Sequence, residues 1–580
     1  MDNTEISDRL SELADLLEIR GANPFRIRAY RNAVRTLRGL TRPLSAMVED
    51  GEDLTELQGV GKDMASHIRE LLDTGELELL EEVTAEVPRS LAQLVRLDGV
   101  GPKKARKLWK ELEVTTVDEL EVAIEDDRVT ALEGFGPKSV EKMARAIRDH
   151  RKHQGRFLRT RAAELLAPLL EHMEGVEGIE RLEVAGSFRR RAETVGDIDL
   201  LALAPPDRAP TIMEHFVSFP DVDRVEMSGE TRGTVRLRAG LQVDLRILPE
   251  SSYGAALHYF TGSKEHNVEI RKRARQQGLK VSEYGVFREE EDGDPVAGAT
   301  EEEVFQAVGL PWIEPVLRED RGEIRAADEG TLPSLVTLED IRGDLHMHTT
   351  WSDGKDSIAD MARACRDRGY AYMSISDHSR AVTVARGLTP ERLQEQWEAI
   401  EEARSEVEEI RILRSSEVDI LGDGTLDFPD EVLAELDLVL VAVHSHFGLD
   451  QATQTKRILR ALEHPMVDIL VHPTGRLLNR REPYPVDVEA LLEAALEHDV
   501  AVELNANPRR LDLHDRHLFR ARELGLRVSV ATDAHRTSQL DYMGSGLEQA
   551  RRGWLEAGHV VNAMTPDAFE TWRTRRDHRS

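Results

Sequence analysis

One cysteine, Cys365, stands in 580 residues, which excludes an internal disulfide. It falls in a predicted helix and reads as a small packed residue. No apolar run approaches the roughly 18 residues of a membrane-spanning helix, and the N-terminus is acidic rather than signal-like, so a soluble cytoplasmic protein is expected. Lysine is also scarce: 13 of the 77 basic residues, against 109 acidic ones and a net charge of −32. Such a charge ordinarily argues against a nucleic-acid binder, because phosphate neutralisation dominates that affinity. Acids crowd apparent loops, as at Glu289, Glu290, Glu291, Asp292 and Asp294. An acid-rich, lysine-poor surface suits a high-salt cytoplasm, so a halophilic source is expected and local patches must be read instead of total charge. The length is too great for one core and calls for several domains.

What is present begins with Gly-Ser-Phe-Arg-Arg-Arg-Ala-Glu-Thr-Val-Gly-Asp-Ile-Asp (186 to 199) and Val-Asp-Leu-Arg (243 to 246). Alternate strand residues share a face, so Asp197 and Asp199 project together while Ile198 and Leu200 turn to the core. With Asp244 from a neighbouring strand, they can hold two Mg²⁺ or Mn²⁺ ions for nucleotidyl transfer. Gly186 and Ser187 end a strand (Leu182 to Ala185) and open a helix, where free backbone N–H groups and the helix dipole favour phosphate. Residues 1 to about 318 resemble a family X DNA polymerase of the DNA polymerase beta type. The resemblance implies Asp197, Asp199 and Asp244 as metal ligands, with Asp244 also accepting the primer hydroxyl proton. It places Ser187 and Arg190 on the β/γ phosphates of a dNTP, beside Gly186 and Gly196.

The first third is helical and repeats a short signature: Leu57-Gln58-Gly59-Val60-Gly61, Leu97-Asp98-Gly99-Val100-Gly101 and Leu132-Glu133-Gly134-Phe135-Gly136. These resemble helix-hairpin-helix modules, which grip DNA phosphates through backbone N–H groups without reading sequence. Lys62, Lys103, Lys104 and Lys138 follow them, and Arg26, Arg28, Arg31, Arg35 and Arg38 form a basic face upstream. Family members with lyase activity use a lysine at the position held here by His67, with Asp63 where another basic residue would stand. Schiff-base chemistry loses its amine, and no lyase is expected.

After the palm comes Tyr-Phe-Thr-Gly-Ser (259 to 263). The resemblance assigns Tyr259 and Phe260 to the sugar pocket, Asn267 to the base edge and Arg271 to the template side, with Gly262 also among the nucleotide-binding residues. Lys264 departs from the acidic residue of the vertebrate repair enzyme. The run Arg271-Lys272-Arg273-Ala274-Arg275 supplies positive charge. Between Leu317 and Leu335 the chain turns acidic and irregular and reads as a linker.

From Gly343 onward, apolar strands alternate with helices and end on His346 and His348, Asp377 and His378, Glu417, His444, His472, Asn505, and Asp533 with His535. Function at the C-terminal ends of parallel strands is the barrel-enzyme pattern, here with seven units. So many imidazoles and carboxylates exceed what one tetrahedral ion needs and suit Zn²⁺, Mn²⁺ or Fe²⁺. Gly-Asp-Leu-His-Met-His-Thr-Thr-Trp-Ser-Asp-Gly, Ser-Asp-His, His-Pro-Thr-Gly-Arg and Thr-Asp-Ala-His resemble a polymerase-and-histidinol-phosphatase (PHP) domain over about 340 to 560. The resemblance implies that His346, His348, Asp353, His378, Glu417, His444, His472, Asp533 and His535 bind up to three metals, Glu417 bridging two. His446 is a spare candidate, and Asp377 is read as orienting a ligand.

The expected chain is multidomain α/β: a helix-hairpin-helix N-terminal region, a nucleotidyltransferase palm with a mixed sheet, and a C-terminal (β/α)7 PHP barrel. Boundaries fall at 1–85 for an N-terminal helical DNA-binding domain and 86–150 for helix-hairpin-helix, then 151–250 for the palm, 251–318 for nucleotide selection, 319–338 for the linker and 339–580 for the phosphoesterase. The leading function is filling short gaps in DNA from dNTPs, with the barrel processing 3′ ends as a 3′-to-5′ exonuclease, 3′ phosphatase or abasic-site nuclease. Gapped or nicked DNA is the expected partner and a monomer the expected state. Two alternatives stay open: a barrel acting on small phosphate esters with the first half as a DNA tether, and a non-catalytic DNA-end scaffold.

Overall fold

The computed structural model describes residues 3–38, 44–49, 52–57, 59–75, 77–95, 97, 99–126, 128–132, 134–153, 156–289 and 293–575. Gln58, Asp98, Glu133, Glu290, Glu291 and Asp292 lie outside the described residues, as do the side chains of Arg35 and Arg38. The chain forms two compact units, Met1–Gln154 and Gly155–Ser580.

In the first unit, each Gly-x-Gly signature leads into a helix: Lys62–Thr74, Pro102–Leu112 and Pro137–His153. Proline at the start of two of them costs nothing, because the first helical N–H has no partner in the helix. Their apolar faces meet in one core that includes Ile68, Leu71, Leu108, Met143 and Ile147.

The second unit opens on a five-stranded palm sheet, in spatial order Arg181–Val184, Asp197–Leu203, Gln242–Leu248, Arg232–Leu237 and Val222–Ser228. The second and third strands run parallel and the other pairs antiparallel, so the sheet is mixed as expected. Strict alternation along Gln242–Leu248 sends Val243, Leu245 and Ile247 into the core and leaves Gln242, Asp244 and Arg246 on the other face. Helices Glu250–Thr261, Lys264–Gln276 and Glu301–Ala307 follow, with a short hairpin of Leu279–Ser282 and Gly285–Arg288.

The segment expected to be an irregular linker is ordered. It contains the helix Glu323–Glu329, whose Glu323 is fully buried and 2.7 Å from His266 Nδ1. Ala326, Ala327 and Leu335 join a cluster with Phe305 and the barrel residue Trp554.

Seven strands then run parallel in chain order: Gly343–Asp344, Tyr372–Ile375, Arg411–Asp419, Leu438–Ala442, Ile469–Leu470, Ala501–Asn505 and Val528–Ala531. A parallel bridge between Met347 and Ala534 joins the last strand to the first, giving a near-closed seven-unit barrel. Strands such as Leu438–Ala442 are buried throughout, which is why they read as continuous apolar runs. Among the described residues, no helix is long and apolar enough to cross a membrane.

Candidate active sites in the palm and the barrel

In the palm, Asp197 opens its strand exposed, Ile198 is buried and Asp199 is half-buried. Asp199 stands directly opposite Asp244 across the parallel pair. Asp244 is fixed in orientation, its Oδ1 accepting from Thr234 Oγ1 at 2.5 Å and its Oδ2 from Gln242 Nε2 at 2.8 Å. Burial, reinforced by the charges of Asp197 and Asp244, pushes the Asp199 carboxyl up to about 7. A cation among these carboxylates would relieve that repulsion, so the donor set fits divalent metal.

Gly186 has φ +66°, and a Cβ there would lie 2.8 Å from Asp199 Oδ2. Only glycine lets the turn Gly186–Arg189 approach the carboxylates this closely. Ser187 and Arg190 follow on that turn, while Gly196 immediately precedes Asp197. Arg190 donates from Nε to Glu319 and from Nη1 to the Thr261 carbonyl. Tyr259 and Phe260 are half-buried with rings edge-on at 5.2 Å, and the Arg246 guanidinium sits 4.1 Å over Phe260. Asn267 is buried and donates to the Tyr259 carbonyl, and Arg271 Nε donates to the Asn267 carbonyl. A Cβ at Gly262 would lie 3.1 Å from Arg190 Nη1, so glycine lets this segment approach the Arg190 side chain. Part of the basic run is already used: Arg273 holds Asp328 and the Val308 carbonyl, and Lys272 pairs with Glu269.

In the first unit, Gly59, Gly99 and Gly134 have φ between 80° and 89°. Gly61, Gly101 and Gly136 face open space, so packing does not demand glycine there and a ligand backbone can come close. Lys104 braces a hairpin, donating to the Gly99 carbonyl and Ser139 Oγ. Arg31 pairs with Asp15 and Glu18, and Arg26 and Arg28 on that face are exposed. His67 is half-buried and bonded to Tyr30 Oη at 3.1 Å, with no amine in its place.

At the barrel mouth the predicted ligands converge. His348, Asp353, His378 and His535 form one group whose ligand atoms lie within 4.8 Å of one another; His346, His348 and Asp533 form a second, and His378, Glu417 and His444 a third. Glu417 is central: Oε1 lies 2.7 Å from His472 Nε2 and 3.2 Å from His444 Nε2, and Oε2 lies 2.9 Å from His378 Nδ1. Yet Glu417 Oε2, His378 Nδ1 and His348 Nδ1 are buried without a hydrogen-bond partner among the described residues. Close, buried and unbonded donor atoms are what a shared ion would satisfy.

Electrostatics follow from this crowding. Burial alone would lower the His346 imidazole, but Glu503, Glu417 and Asp533 hold it well above its ordinary value. His348 goes the other way, to about 3, through burial and then the neighbouring His535 and His378. Burial opposes protonation of His444 and His535 too, yet Glu417 for the first and Asp353 for the second raise each to about 9. His472 and Asp533 both adopt left-handed backbone, at φ 30° and 52°, a strain that clusters at functional sites.

Asp377 stays behind the ligands, accepting from Thr349, Ser352 and Gln396, in keeping with an orienting role. Asn505 donates to Asp533 Oδ2. His446 is exposed and outside the three groups. Two residues that orient ligands were not anticipated. Glu503 Oε1 is 2.6 Å from His346 Nδ1, and Asp419 Oδ1 is 3.1 Å from His444 Nδ1. Each lies two residues from a strand-end candidate, Asn505 or Glu417, so the period-2 face was the signal available. Arg510 Nε, 3.5 Å from Asp533, was likewise missed.

Comparison with known proteins matches residues 1–77 to the helix-hairpin-helix domain, 91–149 to the SAM-like helix-hairpin-helix tandem, 256–319 to the DNA polymerase beta thumb and 344–507 to the PHP domain. The chain is 40% identical to the DNA polymerase/3′-5′ exonuclease PolX of Bacillus subtilis (strain 168) over 579 residues, 100% of both chains. The chain belongs to the PolX family of DNA polymerases. This PolX chain is also 26% identical to DNA polymerase lambda of Rattus norvegicus, over 55% of its own length and 56% of the relative. A protein named as a probable phosphatase of Thermoanaerobacter sp. (strain X514) matches 38% of it at 26% identity, over 89% of that relative. The PolX architecture is thus helix-hairpin-helix modules, a palm and thumb of the beta type, and a PHP barrel.

Proposed function

We propose that this PolX protein fills short gaps in DNA repair and hydrolyses phosphoesters at DNA 3′ ends in its barrel. The observation that carries the reading is a complete donor set in each half: three carboxylates on one palm face, and nine ligands gathered at one barrel mouth. Asp197, Asp199 and Asp244 would hold two Mg²⁺ or Mn²⁺ ions in the palm, and the barrel ligands up to three of Mn²⁺, Zn²⁺ or Fe²⁺. Such ions activate an attacking oxygen and stabilise charge on phosphate oxygens.

The residues supply the rest. Ser187 and Arg190 hold the β/γ phosphates of the dNTP, Tyr259 and Phe260 crowd the sugar edge, and Asn267 and Arg271 flank the base pair. Asp244, held still by Thr234 and Gln242, accepts the primer hydroxyl proton. Hairpin glycines grip the DNA backbone, which needs no positive total charge. Gapped DNA and dNTPs are the partners, and the protein works as a monomer in high salt.

A second reading, hydrolysis of small phosphate esters by the barrel, draws on the likeness to the named phosphatase. One paired assay tests both: primed, gapped DNA in high salt with Mg²⁺ or Mn²⁺, comparing Asp199→Ala with Asp533→Asn. Asp199→Ala should lose nucleotide addition and keep 3′ hydrolysis, and Asp533→Asn the reverse. Extension by Asp199→Ala sinks the polymerase assignment. If the unmodified protein leaves DNA 3′ ends intact but cleaves a small ester, the second reading replaces the first.

A further inference from the structure

The palm segment between the phosphate turn and the metal aspartates is held from outside the palm. Arg190 Nε donates to Glu319 Oε1 at 3.0 Å and Nη1 to the Thr261 carbonyl, while Nη2 makes no hydrogen bond among the described residues. Glu319 is the last residue of the stretch that matches the thumb. Its Oε1 also accepts from Arg552 Nη1 at 2.9 Å, and the same Nη1 is 2.7 Å from the carbonyl of Arg190 itself. Arg552 ends the barrel helix Met543–Arg552, is 7% exposed, and has its Nη2 2.7 Å from Asp515 Oδ2.

The grip continues along the segment. Arg191, in left-handed backbone at φ 60°, pairs with Glu548 of the same barrel helix at 3.3 Å. Glu193 accepts from Arg476 at 2.7 Å and Gln549 at 3.3 Å. Arg476 lies four residues beyond the metal-site His472.

Buried charges of this kind add little net stability, since desolvation offsets their attraction, but they fix geometry when every partner is present. Arg552 donates to the Glu319 carboxylate and the Arg190 carbonyl and pairs with Asp515, groups that belong to three different parts of the chain. Without it, Glu319 would face Arg190 alone and could swing with it.

We propose that Arg552, acting through Glu319, is a positioning residue for dNTP binding: a barrel side chain that sets the aim of the palm's Arg190 guanidinium. The inference rests on the reading of Arg190 as a triphosphate contact. It makes the barrel part of the polymerase site, separately from any hydrolysis the barrel performs.

The test uses the full-length protein on gapped DNA, measuring dNTP KM, kcat, 3′ hydrolysis and melting temperature for Glu319→Gln, Arg552→Ala, Arg190→Ala and the double variant Glu319→Gln/Arg190→Ala. Glu319→Gln keeps the volume and removes the charge, so it decides the matter if Arg552→Ala does not fold. Both should raise dNTP KM about tenfold with kcat changed less than about threefold and 3′ hydrolysis unchanged. The double variant should be no worse than Arg190→Ala alone, because residues acting in one path are not additive. Arg573→Ala, which breaks barrel pairs with Asp437 and Glu570 elsewhere, should lower the melting temperature without raising dNTP KM. A folded Glu319→Gln with normal dNTP KM, beside an Arg190→Ala that raises it, overturns the positioning role. So does an Arg573→Ala that raises dNTP KM equally. If Arg190→Ala itself leaves dNTP KM unchanged, the triphosphate reading fails and takes the inference with it.

Discussion

The palm and the barrel reach metal-ion chemistry by opposite constructions. In the palm, three carboxylates from two neighbouring strands share a sheet face, with Asp197 exposed and Asp199 half-buried. In the barrel, buried and half-buried imidazoles and carboxylates already stand close together, and His346 and His444 are steadied by Glu503 and Asp419. The difference teaches a division of labour. On the proposed reading, a barrel cage would be loaded before substrate arrives, whereas the palm set would be completed by the oxygens of a triphosphate.

The sharpest break between the two comes from removing one carboxylate in each. Asp199→Ala should lower nucleotide addition by on the order of a thousandfold or more and leave 3′ hydrolysis intact; Asp533→Asn should do the opposite. Metal stabilisation is worth several kcal/mol and each ~1.4 kcal/mol is a factor of ten. Single-turnover assays of both reactions on one DNA substrate check this, and loss of both activities from either change would erase the comparison.

If orientation matters more in the preassembled cage, Glu503→Gln should reduce barrel metal affinity and 3′ hydrolysis by roughly 10–100-fold, the usual cost of a lost outer partner. In the palm, Gln242→Leu should cost nucleotide addition less, because Thr234 still holds the other oxygen of Asp244. Equal losses would show the palm to be as rigidly prepared as the barrel.

Much of this was legible in the chain. The palm aspartates stand at period 2 with Ile198 between them, and six of the seven barrel strands lead to candidate ligands, the other ending on Asn505, which donates to Asp533. What escaped were residues whose role needs a distant partner. Glu503 sits inside a buried strand, where a carboxylate has meaning only once His346 is beside it. The helix Glu323–Glu329 has too few residues to announce itself; His266 and the Phe305–Trp554 cluster hold it in place. The Glu193–Arg476 and Glu319–Arg552 pairs join segments far apart in sequence.

Gly186→Ala probes the close approach on the palm side. Its φ of +66° strains an L residue by roughly 1–3 kcal/mol, and the new Cβ would press on Asp199 Oδ2. Nucleotide addition should fall about tenfold or more, with 3′ hydrolysis and the barrel's melting unchanged. An unchanged addition rate would mean that the turn has room to spare.

The smallest effect tests preassembly directly. Mn²⁺ without DNA or dNTP should bind the barrel cage and raise the melting temperature of the full-length protein, because a ligand that binds only the folded state stabilises it by mass action. At about a hundred times Kd the gain is roughly 2.7 kcal/mol, or about 5–10 °C for a domain of the barrel's size. Chelation should reverse it. Asp533→Asn should abolish most of the shift, while Asp199→Ala should leave it unchanged, since the palm carboxylates wait for a triphosphate. A shift that disappears with Asp199→Ala instead would put the preassembled site in the palm and invert the comparison.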